Sequence, residues 1–200
     1  MWIKIEAGED KTLKVALKKM SDIPNIIEQS DEWEDVTESY LGATKDAEAL
    51  LSIGKAYSDK GEYKKAIQAY KQAIRISPDY AEAHYYLGKA YSKLGDYSEA
   101  IEAFKQVIRI GSNYAALAHY NIGVAYRKTE EYQKAIEAFK QAIRIKPEHD
   151  DAQFDLGEAH FNLGISYLNL KNKGSALEQY KILKTLDKEK ANELFNHIYK

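Results

Sequence analysis

One glycine-containing phrase recurs along the chain at a nearly constant interval. Gly54, Gly88 and Gly123 are separated by 34 and then 35 residues, and a further glycine, Gly157, follows after another 34. The first copy of the phrase, from Ile53, reads IGKAYSDKGEYKKAIQAYKQAIRISP. Self-similarity at such a period is typical of repeat architectures, in which each unit buries its apolar face only against its neighbours. No other feature of the sequence restricts the fold as strongly.

Each unit has the pattern of two helices. In the first unit, apolar residues recur at i, i+3, i+4 and i+7 from Leu50 to Tyr57, which is one face of a helix. After a short break, a second helical stripe runs from Tyr63 to Ile74 and ends before Pro78. The sequence therefore predicts helix pairs joined by tight turns.

Small residues recur at one position of each predicted helix. The first helices carry the repeated glycine, and the second helices carry Ala66, Ala100 and Ala135. A glycine inside a helix costs about 1 kcal/mol relative to alanine, so its recurrence indicates a compensating gain. We expect that gain to be a close approach of the paired helices, with glycine facing alanine.

Several of these residues match the pattern of a known family: an aromatic residue, then Leu-Gly-x-x-Tyr, then Ala, an aromatic residue, Ala and Pro. The matching residues include Leu87, Gly88, Tyr91, Ala100, Phe104, Pro78 and Pro147. On this basis residues 47–190 resemble the tetratricopeptide repeat (TPR) family. One departure is that the first aromatic position holds Leu50, His84 and His119. The resemblance implies an all-α fold, a right-handed α-solenoid of antiparallel helix pairs with about four repeats plus caps.

The expected boundaries follow from the phase of the repeat. The predicted repeats span residues 47–80, 81–115, 116–149 and 150–187. A stripe of Ala191, Leu194, Phe195 and Ile198 predicts a C-terminal capping helix over 188–200, which would cover the apolar face that a terminal repeat leaves bare.

The last repeat contains the same phrase twice in succession, as FDLGEAH and FNLGISY. Adding seven residues extends a helix by about two turns with a phase drift of only about 20°. This predicts one long helix over 150–170 that overhangs the repeats. The alternative is a helix broken near Gly157.

The N-terminal segment, residues 1–46, matches no repeat and carries a net charge of -5. Residues 1–6 alternate like a strand or form a disordered start, whereas residues 11–20 and 31–41 have the pattern of short helices. We interpret the segment as an acidic, helical N-terminal cap. The alternative is that residues 31–40, DEWEDVTESY, fold onto a basic groove and block it.

Composition and charge exclude several classes of function. The formal net charge is -2, and residues 47–200 carry only +3, too little for a strong nucleic-acid track. The chain has no cysteine, no secretory signal pattern and no run of 18 apolar residues. We therefore expect a cytoplasmic protein that contacts neither nucleic acid nor membrane.

The sequence offers no catalytic or cofactor motif, and we expect no enzyme activity and no cofactor. His84, His119 and His160 hold equivalent positions in successive units, which lie too far apart to share a metal ion. We expect each imidazole to pack between the helices of its own unit, and the repeated tyrosines to be core residues. The sequence predicts no metal site.

A second stripe on the first helices, one residue on from the packing stripe, is the candidate binding site. Its positions fall at i, i+4 and i+7 of each helix and so share one face. The resemblance implies that this face lines a concave groove for a peptide or helix. The candidate residues are Leu51, Lys55, Tyr85, Lys89, Tyr120, Val124, Arg127, Phe154, Glu158 and Phe161.

This mixture of aromatic and basic residues predicts a non-catalytic interaction scaffold that binds an acidic segment with apolar anchors. The alternative is a homo-oligomeric assembly module that uses the extended helix of the last repeat, with Phe154, Phe161 and Ile165 as the contact.

Overall fold

The computed structural model describes residues 3–7, 11–15, 46–145 and 156–200. Near the N-terminus, strand β1 (Ile3–Ala7) pairs antiparallel with strand β2 (Lys11–Val15). The helix predicted for residues 11–20 is therefore wrong over the extent of β2. The short alternation in KTLKV, with its β-branched threonine and valine, favours an extended strand over a helical stripe. The helix predicted for residues 31–41 lies outside the described residues.

Every regular element within residues 46–145 and 156–200 is a helix. The helices in chain order are α1 (Ala47–Asp59), α2 (Tyr63–Ile76), α3 (Ala81–Leu94), α4 (Tyr97–Ile110), α5 (Ala115–Lys128), α6 (Tyr132–Arg144), α7 (Leu156–Asn169), α8 (Lys173–Leu186) and α9 (Lys188–Ile198). Helix α1 packs against α2, α5 against α6 and α7 against α8, each pair joined by a short turn. None of the helices in this part of the chain is long and apolar enough to cross a bilayer.

The chain divides into two compact units, residues 1–90 and 91–200. In the first unit, the core between α1 and α2 is built on Leu50, Ile53, Ala66 and Tyr70, all of which are buried. Asp46 caps the N-terminus of α1 by accepting hydrogen bonds from two backbone N–H groups of the first turn, at 2.9 and 3.3 Å. The apolar stripe read from the sequence is thus the packing face of this pair.

The repeated glycine makes room for an aromatic ring of the paired helix. A Cβ built on Gly54 would lie 2.6 Å from Cδ1 of Tyr70, and one built on Gly123 would lie 2.7 Å from Cδ1 of Phe139. The prediction that glycine faces alanine is therefore wrong in its partner, although the close approach itself is present. Because the ring occupies the space that a side chain at the glycine would fill, the large side chain and the missing one complement each other.

The turn within each helix pair contains one residue in the left-handed region of the backbone. This residue is Gly61 (φ 80°) in the first pair, and Gly95 (φ 87°) fills the same role between α3 and α4. In the later pairs the position holds Glu130 (φ 63°) and Lys171 (φ 57°), where a side chain makes the conformation costly.

The turn residue also fixes the register of the last pair. Lys171 lies seven residues after Gly164, which is the same separation as between Gly123 and Glu130. Gly164, and not Gly157, is therefore the packing glycine of the α7–α8 pair. Helix α7 runs without a break from Leu156 to Asn169, and the part of the predicted long helix before Leu156 lies outside the described residues.

Helix α9 packs on both α7 and α8. Its Ala191, Leu194 and Ile198 are buried in a cluster with Ala176 and Leu183 of α8. Asp187 caps the helix by accepting from the backbone N–H groups of its first turn, both at 3.0 Å. The fourth residue of the predicted stripe, Phe195, is not in this cluster and is 41% exposed.

Candidate functional site

In the first unit, five side chains of α1 and α3 form a surface that we call the α1–α3 face. They are Lys55, Glu82, Tyr85, Tyr86 and Lys89. The Nζ atom of Lys55 lies 2.6 Å from Oε1 of Glu82 and 4.5 Å from the centroid of the Tyr86 ring. The Nζ atom of Lys89, on the next turn of α3, lies 5.4 Å from the same ring. Both ammonium groups are thus within the distance at which an aromatic ring attracts a cation.

Two predicted contact residues of this unit are more buried than a ligand-facing stripe requires. Leu51 is 4% exposed and Tyr85 is 8% exposed, so both contribute chiefly to packing. The ring of Tyr85 meets the edge of Tyr86 at a centroid distance of 5.5 Å. The half-buried Tyr86, one position further along α3, therefore supplies the aromatic surface that the sequence pattern placed on Tyr85.

Charge is distributed unevenly along the α1–α3 face. Burial raises the pKa of Tyr80, and the nearby carboxylates of Glu82 and Glu48 raise it further. The carboxylates lie in the first turns of α1 and α3, whereas Lys55 and Lys89 lie one to two turns later. Because Glu82 offsets the charge of Lys55, the positive charge of the face is concentrated at Lys89.

In the second unit, a chain of polar contacts links α5, α7 and α9. The buried Asn162 donates from Nδ2 to the hydroxyl of Tyr120 at 3.3 Å and to Oε1 of Glu158 at 2.8 Å. The other carboxylate oxygen of Glu158 lies 3.7 Å from Nζ of Lys190. Lys190 also donates to Asp187 at 2.9 Å, and this hydrogen bond lowers the pKa of that carboxyl group. Tyr120 and Glu158, both predicted contact residues, are thus brought together.

The remaining predicted residues of the second unit differ in their surroundings. Val124 packs against the cluster around Phe139 and Leu163. Arg127 is half-buried, and within the described residues its buried Nε makes no hydrogen bond. Phe161 packs against the α8–α9 cluster, and its ring lies 6.4 Å from that of His197. Phe154 lies outside the described residues.

The three equivalent histidines have separate surroundings. An imidazole nitrogen of His84 lies 2.9 Å from the carbonyl oxygen of Pro78, and Nδ1 of His160 lies 2.8 Å from Oε1 of Gln179. His119 is half-buried, and burial lowers its pKa. Among the residues that the structure describes, no group of three His, Asp or Glu side chains converges to hold a metal ion.

The sequence pattern missed four participants in these contacts: Glu82, Tyr86, Asn162 and Lys190. Glu82 lies seven residues before Lys89, and this spacing on one helix face could have revealed it. Tyr86 belongs neither to the packing stripe nor to the candidate binding stripe, because it lies one position before the packing residue Leu87. The contacts of Asn162 with Tyr120 and of Lys190 with Glu158 could not be found by periodicity, since each of them joins two different helices.

Comparison with protein families gives the same architecture. A family model described as tetratricopeptide repeat matches residues 87–150 and 120–189, and one described as TPR repeat matches residues 54–95. The chain belongs to the tetratricopeptide repeat family. The predicted α-solenoid of antiparallel helix pairs is thereby confirmed, and TPR repeats are generally non-catalytic scaffolds for contacts between proteins.

Solved structures of TPR proteins are similar over most of this TPR chain. One structure of MamA is 28% identical with a TM-score of 0.66, covering 88% of this chain and 89% of MamA. MamA from Desulfovibrio magneticus RS-1 is 22% identical with a TM-score of 0.67, over 86% of this chain and 95% of that one. YrrB, a TPR protein with an unusual peptide-binding site, is 22% identical with a TM-score of 0.61, over 82% and 91% of the two chains. A comparison with curated proteins finds no match.

Proposed function

We propose that this TPR scaffold binds an acidic peptide or helix with apolar anchors, and that the α1–α3 face is part of the binding surface. The observation that supports this most directly is the Tyr86 ring with Lys55 and Lys89 ammonium groups 4.5 and 5.4 Å from its centroid. Glu82 neutralises part of the charge at Lys55, whereas Lys89 is exposed. A carboxylate of the partner binds beside Lys89, and an apolar side chain of the partner lies on the ring.

The uneven charge of the face sets the direction of the partner. Glu82 offsets the charge of Lys55, so the acidic end of the partner lies beside Lys89, in a later turn of α3. Fixed helix pairs lose little conformational entropy when such a segment docks.

The test uses a fluorescein-labelled peptide of glutamates interrupted by leucines, and the same peptide with glutamines in place of the glutamates. We expect Lys89→Glu to weaken binding of the acidic peptide about 5- to 10-fold, the equivalent of roughly 1 kcal/mol from one solvent-exposed charge. The matched control is Lys64→Glu, the same charge change at an exposed position of α2. Fluorescence anisotropy measures both affinities.

Equal weakening by Lys89→Glu and Lys64→Glu would mean that only net charge matters, and the α1–α3 face would lose its role. Tight binding of the glutamine peptide would contradict the acidic character of the partner. The homo-oligomeric alternative stays a prediction, although Phe161 and Ile165 lie half-buried against the α8–α9 cluster rather than fully exposed on α7. A cytoplasmic location also stays a prediction.

A further inference from the structure

Helices α8 and α9 carry a row of three aromatic side chains that the core does not enclose. The ring of Phe195 lies 5.5 Å from that of Tyr180 and 4.5 Å from that of Tyr199. Phe195 is 41% exposed and Tyr199 is 57% exposed, whereas Tyr180 is half-buried and anchors the row. We call these three residues the aromatic ladder. Tyr180 belongs to α8, Phe195 to α9, and Tyr199 directly follows α9, so none of the three is a residue of the α1–α3 face.

Lysines flank the ladder on both helices. The Nζ atom of Lys173 lies 4.3 Å from the centroid of the Tyr199 ring, and that of Lys184 lies 5.9 Å from the centroid of Tyr180. Lys188 lies seven residues before Phe195, on the same side of α9. All three lysines are exposed.

The glutamates of α8 and α9 lie elsewhere around the helices. Glu178 and Glu193 come two residues before Tyr180 and Phe195, which places them on the opposite side of each helix. Glu189 precedes Phe195 by six residues, about a third of a turn away from the ladder. Asp187, at the junction of the two helices, accepts hydrogen bonds from Lys190 and from the first turn of α9. The ladder therefore combines exposed rings with a positive charge that its own helices do not neutralise.

We propose that the aromatic ladder is a second docking surface, for an acidic protein segment that carries an aromatic or aliphatic anchor. The anchor covers Phe195 and Tyr199, and its neighbouring carboxylates pair with Lys173 and Lys184. A second copy of the ladder is a poor occupant, because symmetric docking would bring its lysines against themselves. The charge thus selects a partner of opposite sign.

The test uses the full chain and a labelled peptide of glutamates around a single tryptophan, with the matched glutamine peptide as its neutral counterpart. We expect the acidic peptide to slow amide hydrogen exchange in α8 and α9. Phe195→Ala and Lys184→Glu should each weaken that binding by about 5-fold or more and abolish the protection. Lys184→Glu keeps the assay informative should Phe195→Ala disturb α9, and circular dichroism checks the fold of both.

The matched control is Lys64→Glu, the same charge change at an exposed position of α2, a helix that carries none of the ladder residues. We expect it to leave affinity within about twofold, because it removes only one exposed charge outside the ladder. Equal losses for Lys64→Glu and Lys184→Glu would overturn the proposal. Exchange protection confined to residues 46–90, removed by Lys89→Glu, would also overturn it while leaving the proposed function intact.

Two further outcomes would assign the ladder to another occupant. A dimer in sedimentation that Phe195→Ala dissociates would place a second copy there. A several-fold rise in peptide affinity on neutralising Asp31, Glu32, Glu34 and Asp35 together would show that the ladder holds this chain's own acidic segment. Either result would overturn the assignment to a separate partner.

Discussion

The α5–α6 and α7–α8 pairs use the same glycine position for different neighbours. At Gly123, the space that a Cβ would fill is taken by the ring of Phe139 from the paired helix. At Gly164, the corresponding space is taken by a methyl group of Leu194, which belongs to the terminal helix α9 and lies 2.6 Å from the position of the added Cβ. The glycine is thus a site of close approach that either the partner helix or a capping helix can fill.

The largest expected effect on stability comes from shortening Leu194, the side chain of α9 that contacts Gly164. Leu194→Ala should cost about 2–5 kcal/mol of local unfolding free energy, because Leu194 is fully buried between α7 and α8. Hydrogen exchange should quicken in α9 and much less in α5 and α6. The control is the exposed neighbour Phe195→Ala, for which we expect less than about 1 kcal/mol. Equal acceleration in all helices would show that α9 is not a local cap.

The second-largest expected effect is the loss of stability when either packing glycine is replaced by alanine. Gly123→Ala should cost about 1–3 kcal/mol, since the methyl group forces the Phe139 ring aside and outweighs the helix-forming gain of alanine. Gly164→Ala should cost less, because the Leu194 side chain can rotate away. Denaturant titration measures both changes.

A double mutant sharpens that comparison. In the Leu194→Ala background, Gly164→Ala should become stabilising by up to about 1 kcal/mol, since the contact that opposed it has gone. Additive effects of the two substitutions would contradict the assignment of Leu194 as the neighbour that requires the glycine.

A smaller effect is expected at the turns. Glu130→Gly and Lys171→Gly should each stabilise the chain by about 0.5–1 kcal/mol, because glycine adopts the left-handed conformation without strain. The reverse change, Gly95→Glu, should destabilise by about 1 kcal/mol, although nothing lies within 4 Å of its added Cβ. Thermal unfolding of the three variants checks the signs, and a destabilised Lys171→Gly would show that its side chain contributes more than its backbone costs.

The smallest effect concerns His119, whose pKa is lowered by burial. The unfolded chain binds the proton more tightly, so this group removes stability as the pH falls below the ordinary histidine value of about 6.5. His119→Leu, which copies Leu50 of the first unit, should reduce the loss between neutral and acidic pH by less than about 0.5 kcal/mol. Denaturant midpoints for both proteins at neutral and acidic pH measure this loss of stability. An equal loss in the two proteins would contradict the prediction.

The helix pairs, the turns and the family were predictable because each depends on contacts repeated at a fixed sequence interval. The ring that faces Gly54 was not, since periodicity places residues on a face without saying which atoms meet. For the same reason, Leu51 and Tyr85 were assigned to an open stripe although both are buried. Lys11–Val15 is too short a window to separate a strand from a helix by pattern alone.

The helix positions of the candidate residues were predictable, whereas the contacts that these residues make were not. Lys55 and Lys89 were proposed from their spacing, but the ion pair of Lys55 with Glu82 depends on how two helices stack. Asn162 shows the same difficulty, because its hydrogen bond to Tyr120 joins α7 to α5. The identity of a residue does not by itself predict which residue of another helix it contacts.

The constant seven-residue distance between the packing glycine and the left-handed turn residue links the two into one structural cassette. In the last repeat, the duplicated heptad is inserted ahead of Gly164, and the cassette of Gly164 and Lys171 behind it is intact. Whole heptads can therefore be added or removed before the glycine without changing the turn or the packing of the two helices. A designed variant can thus have a longer first helix while its second helix packs as before.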